Sequence, residues 1–376
     1  MNAKLLDSIC AAVLCIILTL GLWPFHAPEN QVTWLRERSG LRFGRNGTAI
    51  GSRAFEMPDP RPNDTAGSLE IWLQPRRMWD SGTFLAFYAS EDPLRFSLRQ
   101  MQTDLRLQAA IRGERTRPAS LYLDDVFYRR RPTFITITSH ANGIAVYVDG
   151  APALRAPRFQ LRANQFTGRI ILGDSAGQTD SWKGVLLGLA IYSQELTPAQ
   201  VLRHYETWSR AGRPEIQADD RNAALYLFDE RRGNVVHDRA GLGGDLSIPE
   251  RYMVLDQIFL EPFWTEFAMT RSYWSAVAKN IVGFIPFGFC LCARLSLGRR
   301  AKRAALTTVL LGMLVSLTIE ILQAYLPTRD SGTTDIITNT LGTWAGATLF
   351  RTMSDRGWFA MLRHRSGTRA AGAGRG

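Results

Sequence analysis

The residues best placed to do chemistry lie in the last third of the chain, where apolar segments carry charged and amide side chains. Glu320 lies inside an apolar run, residues 304–326, that is long enough to cross a hydrocarbon core about 30 Å thick. A charge at that depth costs about 2.5 kcal/mol or more, so a carboxylate there is a functional-site hypothesis by default. Gln323 lies one helical turn farther on and shares the same helix face.

Four more polar residues extend this pattern. Asn280 lies in the preceding apolar segment and Arg329 in the short loop that follows. Asp335 and Asn339 open the next segment at i, i+4 spacing. The polar residues fall near one end of their helices, which predicts a cluster at one membrane surface.

Three roles fit this cluster, and the sequence leaves all three open. The residues can hold the helices together, with Glu320 pairing with Arg329 or accepting a hydrogen bond from Asn339. They can form a polar pocket that binds an amphiphile, with Arg329 binding a phosphate through two parallel hydrogen bonds. Glu320 can also transfer protons in a membrane enzyme or carrier. Zinc protease chemistry is excluded, because no histidine lies in the three C-terminal apolar segments.

The order and spacing of these residues resemble the VanZ-like membrane family. The shared signature is an Asn before a Phe-x-Pro-x-Gly helix, a Glu-x-x-Gln helix end, a loop Arg, and Asp-x-x-x-Asn before a Gly-rich helix. The matching residues are Asn280, Phe284, Pro286, Gly288, Glu320, Gln323, Arg329, Asp335, Asn339, Gly342 and Gly346. The family takes its name from a teicoplanin-resistance protein, so the resemblance implies a bacterial cell-envelope protein linked to antibiotic resistance, but it supplies no reaction.

The basic residues predict the membrane topology. Of the 376 residues, positions 26–276 hold 31 Lys and Arg against 29 Asp and Glu, whereas the rest hold 14 against 5. The excess lies in the loop 294–303 and in the C-terminal tail, which the positive-inside rule places in the cytoplasm. The high pI therefore belongs to the membrane part and does not indicate nucleic-acid binding.

Four transmembrane spans are expected, forming a four-helix bundle: residues 1–25, 277–297, 304–326 and 335–351. Both termini are then cytoplasmic, the protein is a multi-pass protein of the inner membrane, and the large middle region is periplasmic. The first apolar run can be read as a retained anchor or as a cleaved signal peptide, and the lack of an A-x-A site favours the anchor. Residues 353–376 are expected to be a basic, disordered tail.

The middle region reads as short strands separated by turns. Alternating, β-branched and aromatic-rich runs recur at residues 68–74, 83–88, 96–100, 105–111, 134–139, 144–148 and 168–173. Asn142-Gly143 is a hairpin signal between two such runs. Many short strands without intervening helices predict an all-β sandwich over residues 30–250, inserted between the first and second spans. This region has no cysteine, so it must fold without disulfides.

The end of this region resembles laminin-G/concanavalin A-like jelly-roll domains. The resemblance rests on VYVDG at 146–150 and on GVLLGLAIYSQELTPAQ at 184–200, with Thr197 predicted to cap a helix that ends near residue 208. Residues 223–246 are expected to add strands to the same sandwich. The aromatic segment 251–276 is expected to lie on the outer leaflet.

Such a sandwich implies glycan binding, for which Trp79 and Trp182 are the predicted stacking residues, whereas Trp72 is expected in the core. Calcium binding is possible for this fold, but the sequence supports no metal ligand and no cofactor. Glu70 is expected to be a solvated strand residue, and no catalytic constellation is recognisable in the middle region.

The function predicted from these features is recognition of an envelope glycan or lipid-linked saccharide at the outer face of the inner membrane. Membrane lipids and other envelope proteins are the further partners expected. A membrane enzyme or carrier that uses Glu320 as its proton-transfer group is the first alternative. An assembly factor of a polysaccharide or export system is the second.

Overall fold

A computed structural model describes residues 3–58, 67–111, 114–129, 131–140, 142–177, 180–297 and 301–356. The chain divides into two compact units. One unit is Ala27–Gln257, and the other joins the N-terminal residues up to His26 to the chain from Ile258 onward. The expected tail beyond residue 356 lies outside the described residues.

The unit Ala27–Gln257 is built from strands that pair antiparallel throughout. Their bounds are β1 Val32–Trp34, β2 Leu41–Phe43, β3 Ala49–Gly51, β4 Ser68–Pro75, β5 Ser81–Ala89, β6 Asp92–Met101, β7 Asp104–Ile111, β8 Glu114–Leu123, β9 Thr133–His140, β10 Gly143–Val148, β11 Ala151–Ala156, β12 Arg169–Leu172, β13 Gly184–Tyr192, β14 Asn222–Tyr226, β15 Val235–Val236 and β16 Leu246–Ser247.

These strands form two eight-stranded sheets. The first has the order β1-β2-β13-β4-β9-β10-β11 with β14 also paired to β13, and the second has the order β15-β16-β3-β12-β5-β6-β7-β8. The prediction of an all-β sandwich is confirmed. Because β14 joins the first sheet and β15 and β16 join the second, residues 223–246 do extend this sandwich.

The middle of the first sheet, around β9, is covered on both faces. Every residue of β9 from Thr133 to Ser139 is buried. A strand with one face in water would instead have buried and exposed residues in alternation. Ile135 belongs to the main core between the sheets, whereas Phe134 packs against Trp208 of a helix, α2 (Pro198–Ala211). Thr197 caps α2 through the predicted capping box, and Gly212 ends it in a left-handed conformation.

The other unit is helical. Its helices are α1 Ala3–Leu22, α3 Phe263–Glu266, α4 Arg271–Leu295, α5 Ala301–Gln323 and α6 Thr333–Asp355. Among the described residues, three helical segments are long and apolar enough to cross a membrane: Ala3–Leu22, Arg271–Leu295 and Lys302–Gln323. Helix α6 is not one of them, because its first half carries several threonines together with Asp335 and Asn339. Its role as a fourth span stays a prediction.

Glycines set the distance between α4 and α6. A Cβ atom added at Gly342 or Gly346 would collide with the backbone carbonyls of Ile281 or Ile285, so the two helices touch backbone to backbone. Gly283 of α4, in contrast, has open space beside its Cα. The glycine pair of α6 is therefore a packing seam within this unit.

This contrast generates a stability prediction. Gly342→Ala and Gly346→Ala should each lower the free energy of unfolding by about 1–3 kcal/mol, because the backbones must separate. Gly283→Ala, the matched control, should be neutral or should stabilise the protein by about 0.5–1 kcal/mol. Unfolding of the detergent-solubilised protein by SDS titration measures all three. Equal losses for the three variants would contradict the seam.

Candidate functional site

The amino end of α6 is held by two carboxylates from elsewhere in the chain. Glu320, which is only 1% exposed, accepts a hydrogen bond from the backbone N–H of Gly332 at 2.9 Å, and Glu266 accepts one from the N–H of Thr334 at 2.9 Å. Gly332 occupies the N-cap position and has no side chain to cap the helix. A Cβ at that position would collide with the Glu266 carboxylate. The two acids therefore accept the hydrogen bonds that a capping side chain would accept at a helix start.

Two amides bind the first turns of α6. Asn280 of α4 donates to Asp335 Oδ1 at 2.7 Å. Asn339 donates to Ser316 Oγ of α5 at 2.9 Å, and that hydroxyl lies 3.5 Å from the backbone oxygen of Asp335. These bonds join α4, α5 and α6 around one polar centre.

The remaining two predicted cluster residues bind a different element. Gln323 donates to the backbone oxygen of Gly21 at 2.8 Å. Arg329 donates through Nε and Nη2 to the oxygen of Trp23, at 3.1 and 2.5 Å. These carbonyls lie at the carboxyl end of α1, where a helix has no partners of its own and where a cation is favoured.

The predicted cluster therefore divides into two groups, and the described residues do not form the pair of Glu320 with Arg329 that the structural role offered as one option. Among the described residues Arg329 forms no salt bridge. Its guanidinium donates to a carbonyl at the end of α1, whereas the Glu320 carboxylate accepts from a backbone N–H at the start of α6. Glu266 and Ser316 were missed by the sequence reasoning. Glu266 lies in an aromatic segment with no periodic signal, and nothing local indicates that it meets Thr334.

Two amide oxygens in this region are buried without a hydrogen-bond partner among the described residues: Gln323 Oε1 and Asn339 Oδ1. Both amides use their nitrogen as a donor to the protein. The polar region thus keeps unused acceptors, although its carboxylates are engaged by backbone N–H groups and by Asn280.

The sandwich contains a second buried polar network, which connects α2 to the first sheet. His204 Nδ1 lies 3.1 Å from Glu70 Oε2, and His204 Nε2 lies 3.1 Å from Asp220 Oδ2. Tyr192 donates to Glu70 at 2.7 Å, and Arg203 binds both oxygens of Asp220 at 2.7 and 2.8 Å. Glu70 is fully buried, so the prediction of a solvated residue is wrong. From the strand pattern alone, Glu70 is expected on the solvent-exposed face of the sheet, but the helix α2 covers that face.

This network favours the charged form of the His204 imidazole. Burial disfavours the imidazolium, but the hydrogen bonds and charges of Glu70 and Asp220 outweigh burial and raise the pKa of His204 above 6.5. The stabilisation that the imidazolium gives is therefore complete below pH 6.5 and is lost as the pH rises through the raised pKa.

The glycan-stacking candidates differ in exposure. Trp79 is 69% exposed, in the turn between β4 and β5. Trp182 is fully buried between the rings of Phe43 and Phe84 and donates to Gln100 Oε1 at 2.8 Å, so the prediction that it stacks on a sugar is wrong. Trp72 is half-buried and packs against the cluster under α2.

The aspartates of the loops serve local structure. Asp149 accepts from the N–H of Phe134 and from Arg131. Asp174 accepts from Ser181 Oγ and from Tyr252, both at 2.7 Å, and its burial raises its pKa to about 6. Tyr252 is therefore part of the sandwich and not of the predicted leaflet segment. In the described part of the chain, no group of three or more His, Cys, Asp or Glu is arranged to hold a metal ion.

An open groove of about 1360 Å³ lies on the outer face of the first sheet, at its β1 edge. It is lined by the β1–β2 hairpin and by residues of β2, β4 and β13, and its side chains include Gln31, Thr33, Trp34, Arg36, Arg38, Arg42, Gln74 and Arg76. This groove has room for hydrogen-bonding ligands and was not predicted from the sequence, because its residues come from four separate segments.

The two groups in the helical unit predict different energetic couplings. Asn280→Ala and Asp335→Ala should be coupled by about 1 kcal/mol or more, because the two side chains bond directly. Glu320→Gln and Arg329→Gln should be additive within about 0.5 kcal/mol, because the two side chains serve different helix ends. Two double-mutant cycles on SDS-induced unfolding measure this. If Glu320 and Arg329 are coupled as strongly as Asn280 and Asp335, the two side chains form a direct ion pair and this prediction is wrong.

The His204 network predicts a pH-dependent stability. The melting temperature of the sandwich should fall as the pH rises above 6.5, and His204→Gln should lower it at pH 6 and remove this slope. Breaking such a buried pair costs about 3 kcal/mol or more. Thermal unfolding of the solubilised full chain, followed by near-ultraviolet dichroism, tests this, and His237→Gln at the exposed His237 is the matched control. A pH slope that survives in His204→Gln but not in His237→Gln would contradict the assignment.

Comparisons with known families agree with the two parts of the chain. Residues 243–354 match the family model VanZ/LLP1, and residues 36–202 match a laminin-G model described as the concanavalin A-like lectin/glucanases superfamily. Both resemblances inferred from the sequence are thereby confirmed. No curated protein matches the chain significantly.

Several solved structures are similar at low identity. The botulinum neurotoxin serotype D binding domain is 14% identical over 47% of this chain and 45% of that one, with a TM-score of 0.33. A putative carbohydrate binding protein from Bacteroides ovatus is 13% identical over 56% and 62%, with a TM-score of 0.35. The Ruminococcus gnavus IT-sialidase CBM40 bound to α2,3-sialyllactose is 11% identical over 44% and 95%, with a TM-score of 0.33.

The chain spans less than half of the neurotoxin binding domain, and at these TM-scores the likenesses carry no argument about ligands. The family matches and the three apolar helices together identify the class of protein. The chain is a membrane protein that joins a VanZ-like segment to a laminin-G/concanavalin A-like domain.

Proposed function

We propose that this protein recognises a glycan, or a saccharide carried on a lipid, at the outer face of the bacterial inner membrane. The observation that carries the proposal is the open groove on the sandwich, whose lining offers amide, hydroxyl and guanidinium groups suited to sugar hydroxyls. The concanavalin A-like fold of the same domain supports it as a fold-level analogy.

The proposed topology has both termini in the cytoplasm, four spans including α6, and the sandwich in the periplasm. Its support is the excess of basic residues in the loop 294–303 and the tail. A retained α1 is part of the proposal, since Gln323 and Arg329 bind its last carbonyls. The exposed aromatics Phe259, Phe263, Trp264 and Phe267 are proposed to lie at the outer headgroups.

The polar groups of the helical unit are proposed to hold the helices in place. The Glu320 carboxylate accepts a hydrogen bond from the Gly332 N–H, as the side chain of an N-cap residue does at a helix start. That bond favours a structural part for Glu320 over proton transfer.

Trp79 provides the test of glycan recognition. Its exposed ring stands three residues after Arg76, which lines the groove, so it is proposed to stack on a bound sugar. Trp79→Ala should weaken glycan binding about fivefold, which corresponds to about 1 kcal/mol. Tyr128→Ala, which removes an aromatic ring of similar exposure from the same domain, should leave binding unchanged.

The measurement is binding of the detergent-solubilised full chain to a panel of immobilised neutral and anionic polysaccharides. Binding to at least one of them, weakened by Trp79→Ala alone, supports the proposal. A chain that is folded by dichroism and binds none of the panel would overturn it.

A further inference from the structure

The floor of the groove is a row of side chains that point away from the core. Arg42 pairs in register with Thr33 on one side and with Val185 on the other, and Val185 pairs with Gln74. Leu41 and Phe43, the neighbours of Arg42 along β2, are buried in the core, so Arg42 faces outward. Adjacent strands lie about 4.8 Å apart, which gives this row a length of about 14 Å.

The wall of the groove brings more guanidinium groups to the same row. The β1–β2 hairpin contributes Arg36 and Arg38, and Arg38 donates to Gln74 Oε1 at 3.0 Å. Arg76 follows β4 directly, and its backbone N–H donates to the backbone oxygen of Lys183. Four arginines therefore surround one concavity, against two acids, Glu29 and Glu37.

Three of these arginines, Arg36, Arg42 and Arg76, are not used by the described part of the fold, whereas Arg38 is hydrogen-bonded to Gln74. Arg36, Arg42 and Arg76 are exposed, and in the described part of the chain none of the four groove arginines takes part in a salt bridge. The structural arginines of the same domain are paired: Arg203 with Asp220, Arg131 with Asp149 and Arg239 with Asp229. Four arginines against two glutamates leave the concavity with an excess of positive charge, which raises the local potential and attracts anions.

The side chains of the groove are better suited to binding a saccharide than to binding the headgroups of a lipid bilayer. Guanidinium groups bind carboxylate and phosphate through two parallel hydrogen bonds. Thr33, Gln31 and Gln74 add hydroxyl and amide groups along the same row, which an anionic sugar chain can use and a simple ion cannot. The charges line a concave surface, whereas binding to a flat bilayer requires residues that protrude.

From these observations we infer that the groove binds an anionic saccharide, whose carboxylate or phosphate groups are held by Arg36, Arg42 and Arg76. The inference rests on the proposed function and narrows it to a class of ligand. Arg38, through its bond to Gln74, positions the hairpin over the row.

The test compares two double variants with the same change in charge. Arg42→Gln with Arg76→Gln alters the groove, and Arg155→Gln with Arg158→Gln alters exposed arginines at and just beyond β11, the opposite edge of the same sheet. The solubilised full chain is presented with polygalacturonate, which carries carboxylates, with a phosphomannan, which carries phosphates, and with neutral dextran. Equimolar phosphatidylglycerol and phosphatidylcholine vesicles form the lipid arm.

We expect binding to an anionic polysaccharide that falls about tenfold or more in the groove variant and less than about twofold in the β11 variant. The same binding should weaken about tenfold as NaCl rises from about 50 to about 500 mM. Polygalacturonate and phosphomannan together show which anionic group is preferred.

Binding to dextran as strong as to the anionic polymers, or equal losses in the two double variants, would overturn this inference while leaving glycan recognition intact. Binding to the anionic vesicles alone would also overturn it, in favour of a lipid surface. A folded chain that binds no polysaccharide contradicts the proposed function itself.

Discussion

The structure depends on hydrogen bonds that Glu320, Glu266 and Glu70 accept from donors in distant parts of the chain. In the helical unit, Glu320 receives the N–H of Gly332 and Glu266 receives the N–H of Thr334. A carboxylate buried without such donors would be strongly unfavourable, and so would the free N–H groups of a buried helix start. One arrangement satisfies both needs at once and fixes where α6 begins.

The same constraint shapes the sandwich. Glu70 and Asp220 are both fully buried, and His204 stands between them with one ring nitrogen toward each. Because His204 belongs to α2 and Glu70 to β4, the network fixes the helix to the outer face of the sheet, beside the apolar contact of Phe134 with Trp208. Such a network adds specificity to packing that apolar contacts alone would leave less defined.

Local patterns were sufficient for the elements but not for their partners. The alternation in residues 133–139, the Asn142-Gly143 turn and the capping box at Thr197 each predict what the structure has, because their causes lie within a few residues. Long-range pairing decided the rest. Trp182 reads as a surface aromatic until β2 and β5 enclose it, and Arg329 reads as the partner of Glu320 until the end of α1 is placed beside it. The groove itself is visible only when four segments are brought together.

A distinction among the arginines follows from this constraint. An arginine that the fold needs is recognisable by its internal partner, as Arg203 is by Asp220 and Arg329 by the carbonyl of Trp23. A surface arginine without an internal partner contributes little to stability, because even a surface ion pair is worth only about 0–1 kcal/mol. Within the described residues, Arg36, Arg42 and Arg76 are of the second kind, and they share one concavity with polar side chains that follow the strand spacing. Folding alone gives no reason for that concentration of charge, which is why it points to a ligand.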